Sequence, residues 1–323
     1  MRVVFVDNLL FEDSEGVRKY VLQPHVGLIS LIAVLEAAGH DAELIDPKLE
    51  VHRSLNLDDR LYRDIARHIL QAHPDVVGMT SLGCNFVCTA KVATYLKRWK
   101  PRLPILLGGP HATVLDREIA HRFPEFDCIV RNEAELTILP VLENLHAGTL
   151  GDLPGITFRA GNSVVRTPGS PPIADLDSLP IPAYDRYPIG ELGLTTLRVE
   201  AGRGCPFECT FCSTATFFGR KYRLKSAARL VRELDYLHDT YGISDFSLTH
   251  DLFTVNRHKV REFCDAVQSR GYTWKCSARM DCVDDDLLER MYAAGCRSVY
   301  YGVETGSRRV QKRPDGATPP LKS

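Results

Sequence analysis

Cys205, Cys209 and Cys212 stand together in the run Gly202-Arg203-Gly204-Cys205-Pro206-Phe207-Glu208-Cys209-Thr210-Phe211-Cys212. This CxxxCxxC spacing lets one loop fold three thiolates around one face of a compact metal centre. On a cubane, three thiolates satisfy three irons and leave the fourth open. Reactive metal sites keep such an open position, whereas closed structural sites use four protein ligands. The competing readings are a zinc loop and three buried thiols. A tetrahedral zinc site wants a fourth nearby Cys or His, and the next cysteine is Cys264. Inert thiols do not bunch in a Gly- and Pro-bearing loop. The spacing favours an iron–sulfur centre with an open iron.

The chain that must carry this loop has 323 residues, enough for two domains. With 44% hydrophobic and 25% charged residues it has the composition of a globular protein with separate cores. A net charge of −1 supplies no basic field for nucleic acid or an anionic membrane. Only four apolar residues follow Arg2 before Asp7, so no signal peptide is legible. The uncharged stretch 20–35 is too short and too polar to span a bilayer. The expected location is cytoplasmic. There, ten cysteines read as metal ligands, redox groups or buried hydrophobes rather than a disulfide framework.

Strand and helix patterns alternate over 1–150. Strands are expected at 3–6, 42–46, 75–80, 104–107 and 127–131. The helices between and after them are expected at 25–38, 61–72, 86–99, 114–122 and 133–146, the first closed by Gly39. Apolar strands each followed by a helix mean a parallel sheet covered on both faces, a doubly wound α/β domain. The segment 151–190 reads as a small hairpin (155–159 with 163–166) and a semi-rigid linker carrying Pro168, Pro171, Pro172, Pro180, Pro182 and Pro188. Four βα units then resume over 191–310, with strands at 195–200, 243–248, 272–278 and 297–303. They form part of a TIM-like barrel, where chemistry sits at the carboxyl ends of the strands.

The cysteine run, with aromatic Phe211 before its last cysteine, resembles the radical S-adenosylmethionine family signature. The resemblance implies a 4Fe–4S cluster on Cys205, Cys209 and Cys212. Its open iron would chelate the amino and carboxylate groups of S-adenosylmethionine, and reduction would yield a 5′-deoxyadenosyl radical. Phe211 would lie against the adenine. The segment 246–254, with Asp251, and the strings Cys276-Ser277-Ala278-Arg279 and Tyr301-Gly302-Val303-Glu304 resemble the following strand ends. Asp251, Arg279 and Glu304 are thereby implied in binding S-adenosylmethionine, although His250 stands where the family often has the first of two acids. An electron donor such as flavodoxin or ferredoxin is also implied.

Open α/β sheets bind ligands outside the carboxyl ends of their strands. Those ends here are Thr80-Ser81-Leu82-Gly83, Gly108-Gly109-Pro110-His111 and Arg131-Asn132-Glu133. The domain resembles the cobalamin-binding domain that precedes many radical S-adenosylmethionine cores. This implies Thr80, Ser81, Gly83, Gly108, Gly109, His111 and Glu133 as cobalamin-binding residues. The string Asn132-Glu133-Ala134-Glu135 departs from the family's Gly-Glu-x-Glu at its first position. No Asp-x-His-x-x-Gly motif marks a histidine for cobalt. A sheet that kept this shape and binds nothing is the alternative.

The fold class is therefore α/β: a doubly wound cobalamin-binding-type sheet followed by a partial, truncated TIM-like radical barrel. The implied reaction is methylation of an unactivated carbon with methylcobalamin as donor. The alternatives are radical cyclisation or rearrangement, and a non-catalytic truncated cobalamin or iron–sulfur binding protein. Cys84, Cys88, Cys128, Cys264, Cys276, Cys282 and Cys296 read as buried hydrophobes, with ligands as the alternative for Cys84 and Cys88; the aromatic and basic run 217–223 reads by default as a solvated connection, with contact to a substrate or cover over the cluster as alternatives. With Pro314, Gly316, Pro319 and Pro320 crowding it, the tail 311–323 is expected to be disordered.

Overall fold

The computed structural model describes residues 1–7, 11–14, 17–20, 22–51, 59–145, 147, 149–307 and 309. The tail 311–323, expected to be disordered, lies outside the described residues. The chain divides into two compact units, one of residues 1–171 with 182–187, the other of 172–181 with 188–323.

In the first unit, five parallel strands are β1 (Arg2–Val6), β2 (Asp41–Ile45), β3 (Val76–Thr80), β4 (Ile105–Gly108) and β5 (Cys128–Val130). Their order is β2-β1-β3-β4-β5. Successive residues of a strand face opposite sides, and here both sides are apolar. Val4 and Val6 join one core with Ile65, Ile69, Leu96 and Ile119. Val3 and Phe5 join another with Leu28, Ile32, Leu35 and Val141. That two-sided burial is why the strands read as continuous apolar runs. The expected helix 114–122 is broken at Leu115 into Pro110–Val114 and Asp116–Arg122. The expected helix 133–146 begins only at Ile138, and runs Ile138–Asn144. Pro140 explains the late start: proline is tolerated in a first turn and breaks a helix interior.

The expected hairpin forms from β6 (Ile156–Ala160) and β7 (Ser163–Arg166). It extends the sheet, β6 pairing antiparallel with β5. Buried polar contacts hold it there. Asp116 accepts from Thr157 Oγ1 at 2.5 Å and Arg166 Nε at 2.6 Å, and buried Arg131 donates to the Thr167 carbonyl at 2.5 Å.

At the carboxyl ends of β1 and β2, Lys48 is buried with two acids. Its Nζ lies 2.6 Å from Asp7 and 2.9 Å from Asp46, which also accepts from Tyr187 Oη at 3.0 Å. Removing one partner of a buried ion network leaves charge uncompensated. Lys48→Met should therefore lower the urea-unfolding free energy by about 3–5 kcal/mol at neutral pH. Burial pushes the Asp46 pKa up, so the loss should shrink as acid neutralises that carboxylate. An unchanged unfolding midpoint would refute this account.

The second unit contains β8 (Thr196–Glu200), β9 (Asp245–Thr249), β10 (Thr273–Ala278) and β11 (Cys296–Tyr301). They pair in parallel in chain order, as a barrel wall does and a doubly wound sheet does not. Side-chain caps set the starts of its helices. Ser226 accepts from the Arg229 amide before Ala227–Tyr241, Asn256 from Lys259 before Arg257–Val267, and Asp284 from Leu287 before Asp285–Ala293. The proline-rich stretch 172–181 is docked, not free: buried Arg229 donates to the Leu179 and Pro180 carbonyls at 2.7 and 2.8 Å. Among the described residues, no helix is long and apolar enough to cross a membrane.

Candidate functional site

Just past β8, Gly202–Arg203 pairs antiparallel with Arg223–Leu224. The intervening residues 204–222 are thus a loop with both ends pinned, and this loop carries the three cysteines. Gly204 has φ +79°, and a Cβ there would run into the Lys221 carbonyl. Only glycine fits that crossing. Cys205 and Cys209 are half-buried and Cys212 is exposed.

The thiols sense one another. Burial raises the Cys205 pKa, and Cys209, Asp251 and Cys212 raise it further. Burial likewise raises Cys209. Arg279 opposes that rise, while Cys212 and Glu304 add to it. Three mutually repelling thiolates need a cationic partner to stay ionised together. Yet among the described residues no three His, Cys, Asp or Glu side chains converge tightly enough for a single metal ion.

The residues implied at the strand ends gather around this loop. Arg279, just beyond β10, sets its guanidinium 3.8 Å from the centre of the Phe207 ring. It reaches Cys209 Sγ from Nη1 at 3.9 Å, and Asp281 fixes it from behind with contacts of 2.8 and 3.0 Å. Glu304, beyond β11, is exposed and takes φ +59°, and the side chain folds back over Gly302. Asp251, beyond β9, accepts a hydrogen bond from Thr214; the protein mass around it raises its pKa and that bond works against the rise. The Phe211 ring is 60% exposed, free to lie against a flat ligand.

Sequence reasoning missed Phe207, Thr214 and Cys282. Cys282 was expected as a buried hydrophobe; it is only half-buried, and burial with Asp281 pushes it up to about 11, with Cys205 among the contributing charges. The run 217–223 is not merely solvated. Tyr222 Oη donates to the Phe253 carbonyl at 2.9 Å, and Arg223 closes the short ribbon.

In the first unit, the loops after β3, β4 and β5 are tied together. The Ser81 amide donates to the Gly108 carbonyl at 3.1 Å and the His111 amide to the Ser81 carbonyl at 3.2 Å. The Asn132 amide donates to Thr113 Oγ1 at 2.9 Å. Gly109 has φ +93° and would carry a Cβ 2.6 Å from Thr80 Oγ1. The His111 ring rests 4.9 Å from Phe86, and burial lowers its pKa. Gly83 faces His111 Nδ1 at 3.5 Å from where its Cβ would stand. Thr80, Ser81 and Glu133 are buried. Ser81 Oγ and Asn85 Nδ2 are buried without a hydrogen-bond partner, and Asn85 is a residue the motif reading passed over. Cys84, expected to be buried, is exposed, because it sits in the loop ahead of Phe86–Trp99 rather than inside that helix.

Two family models match the chain: the B12 binding domain over residues 19–142 and the Radical SAM superfamily over residues 199–320. The chain is a radical S-adenosylmethionine protein with a B12 binding domain. Among relatives of this cobalamin-binding radical family, it is 31% identical to an uncharacterized methyltransferase of Pyrococcus horikoshii, over 89% of this chain and 62% of that protein. It is 28% identical to the anaerobic magnesium-protoporphyrin IX monomethyl ester cyclase of Cereibacter sphaeroides, over 95% of this chain and 51% of that one. Its fold matches the radical S-adenosylmethionine methyltransferase TsrM of Kitasatospora setae, solved with cobalamin and a [4Fe-4S] cluster bound. That match has a TM-score of 0.73 and 16% identity, over 96% of this chain and 60% of the solved one. The chain thus spans between about half and two thirds of the length of these relatives.

Proposed function

We propose that this protein methylates an unactivated carbon by radical chemistry, using a 4Fe–4S cluster, S-adenosylmethionine and cobalamin. The observation that carries the reading is the three-thiol loop at the carboxyl end of a barrel strand, in one chain with a B12 binding domain. Cys205, Cys209 and Cys212 hold the cluster. Phe211, Asp251, Arg279 and Glu304 bind S-adenosylmethionine: the carboxylates of Asp251 and Glu304 suit its amino N–H groups and ribose hydroxyls, and the Arg279 guanidinium its carboxylate. Thr80, Ser81, Gly83, Gly108, Gly109, His111 and Glu133 bind the corrin. The orphaned Ser81 Oγ suits a ligand rimmed with amides, and the lack of a side chain at Gly109 lets the loops after β3 and β4 pack closely together.

When bound, the cluster supplies the electron that cleaves S-adenosylmethionine and the corrin carries the methyl group. Arg279 stacked on Phe207 keeps a cation beside Cys209, which favours the thiolate over the thiol. A flavodoxin or ferredoxin serves as electron donor, in a cytoplasmic setting. The cyclase relative supports ring closure as a second outcome on the same machinery.

The test is anaerobic incubation of reconstituted, reduced protein with methyl-labelled S-adenosylmethionine. Methyl transfer predicts 5′-deoxyadenosine together with label recovered in the corrin fraction. A cyclase predicts 5′-deoxyadenosine with no label moved. A protein that leaves S-adenosylmethionine intact is neither.

A further inference from the structure

We infer that His250 is a positioning residue: its imidazole closes the turn that holds Asp251 in place to bind S-adenosylmethionine. The inference rests on the function proposed above and starts from one bond. His250 is 7% exposed, and its Nδ1 accepts the Leu252 backbone N–H at 2.8 Å. An accepting Nδ1 means the proton sits on Nε2. Burial, the largest influence, lowers this histidine to about 4, so the acceptor persists at neutral pH.

A side-chain acceptor that takes the amide two residues on is how Asp and Asn build tight turns. His250 does the same with a ring nitrogen. The residue lifted at the turn's apex is Asp251. The turn does not stand alone, because the ring is clamped on two sides. Its Cδ2 lies beneath Gly202, where a Cβ would come within 2.8 Å. It packs T-shaped against the Tyr222 ring, with the ring centres 5.0 Å apart. Tyr222 in turn bonds the Phe253 carbonyl. One imidazole therefore touches both the strand that leads into Cys205 and the turn that presents Asp251. From the other side Thr214, two residues past Cys212, donates to the Asp251 carboxylate. Asp251 is thus located by a ring nitrogen behind it and by the cluster loop in front. This also gives a physical reason why a histidine serves where an acid would be expected: both offer an acceptor at the same reach.

The test compares three variants of the full chain, each reconstituted with its cluster. The amide oxygen of His250→Asn reaches the place of Nδ1, His250→Gln overshoots it, and His250→Leu keeps bulk with no acceptor. The readouts are iron and sulfide content, and S-adenosylmethionine affinity measured from its perturbation of the reduced-cluster electron paramagnetic resonance spectrum. All three should keep the cluster. Leu and Gln variants should bind about tenfold more weakly, ~1.4 kcal/mol, the scale of one hydrogen bond. The Asn variant should stay within about twofold of the parent. Leu or Gln variants that bind as tightly as the parent would overturn the positioning role, as would an Asn variant as weak as Leu. A parent that carries the cluster and binds no S-adenosylmethionine would overturn the functional reading, and this role with it.

Discussion

Replacing Cys205, Cys209 or Cys212 singly by alanine should reduce the iron and sulfide of the anaerobically reconstituted protein from about four of each per chain to near zero. The effect is large because two thiolates leave half of the irons without a protein ligand. The loop itself should survive, since its ends are pinned by the Gly202–Arg203 and Arg223–Leu224 ribbon rather than by the metal. Cys264→Ala is the control. That thiol is buried in the helix Arg257–Val267, so its loss makes a small cavity and leaves the iron content unchanged. One zinc and no sulfide in the parent protein would end the iron–sulfur reading.

Gly109→Ala should abolish cobalamin uptake while leaving the cluster content unchanged. At φ +93° an L side chain is strained, at a cost of about 1–3 kcal/mol. The added Cβ would also stand 2.6 Å from Thr80 Oγ1, 2.8 Å from the Ser81 carbonyl oxygen and 2.9 Å from the Ser81 nitrogen. Relief requires the loops after β3 and β4 to part, breaking the hydrogen bonds through which Ser81 joins Gly108 and His111. Those loops are the surface proposed above to meet the corrin. Gly39→Ala separates strain from binding, because Gly39 has φ +81° with nothing within 4 Å of its added Cβ. It should lose some stability and keep its corrin. Corrin absorbance per chain after gel filtration reads both variants, and stoichiometric cobalamin in Gly109→Ala would refute the placement of the site.

Much of the fold was legible because its causes are local. Val3 to Val6 are apolar on both sides of a strand, and that pattern alone announces a sheet covered on two faces. Capped helix starts at Ser226, Asn256 and Asp284 lie where the apolar stripes begin. One misreading came from weighting periodicity over punctuation: Pro140 was visible in the sequence and breaks a helix drawn from 133 to 146. Others were not visible at all. Nothing near Ile156 says that its hairpin will extend the sheet through Asp116 and Arg131, because those contacts span dozens of residues.

The same division runs through the site. The sequence by itself marked the candidate cluster loop, because three cysteines within one short segment need no distant partner to reveal them. It also marked the strand ends that carry Asp251, Arg279 and Glu304, whose order follows from the βα repeat. Only the tertiary structure decided what those ends do to one another. Arg279 stacks on Phe207 and reaches Cys209 across 70 residues of chain. Lys48 finds Asp7 and Asp46, with Tyr187 closing the group from far downstream. His250, which looks in the sequence like the loss of an acid, becomes a turn-former once Leu252 and Gly202 are seen against its ring. Spacing records which groups are neighbours along the chain; burial and strand order decide which of them share a charge, a proton or a wall.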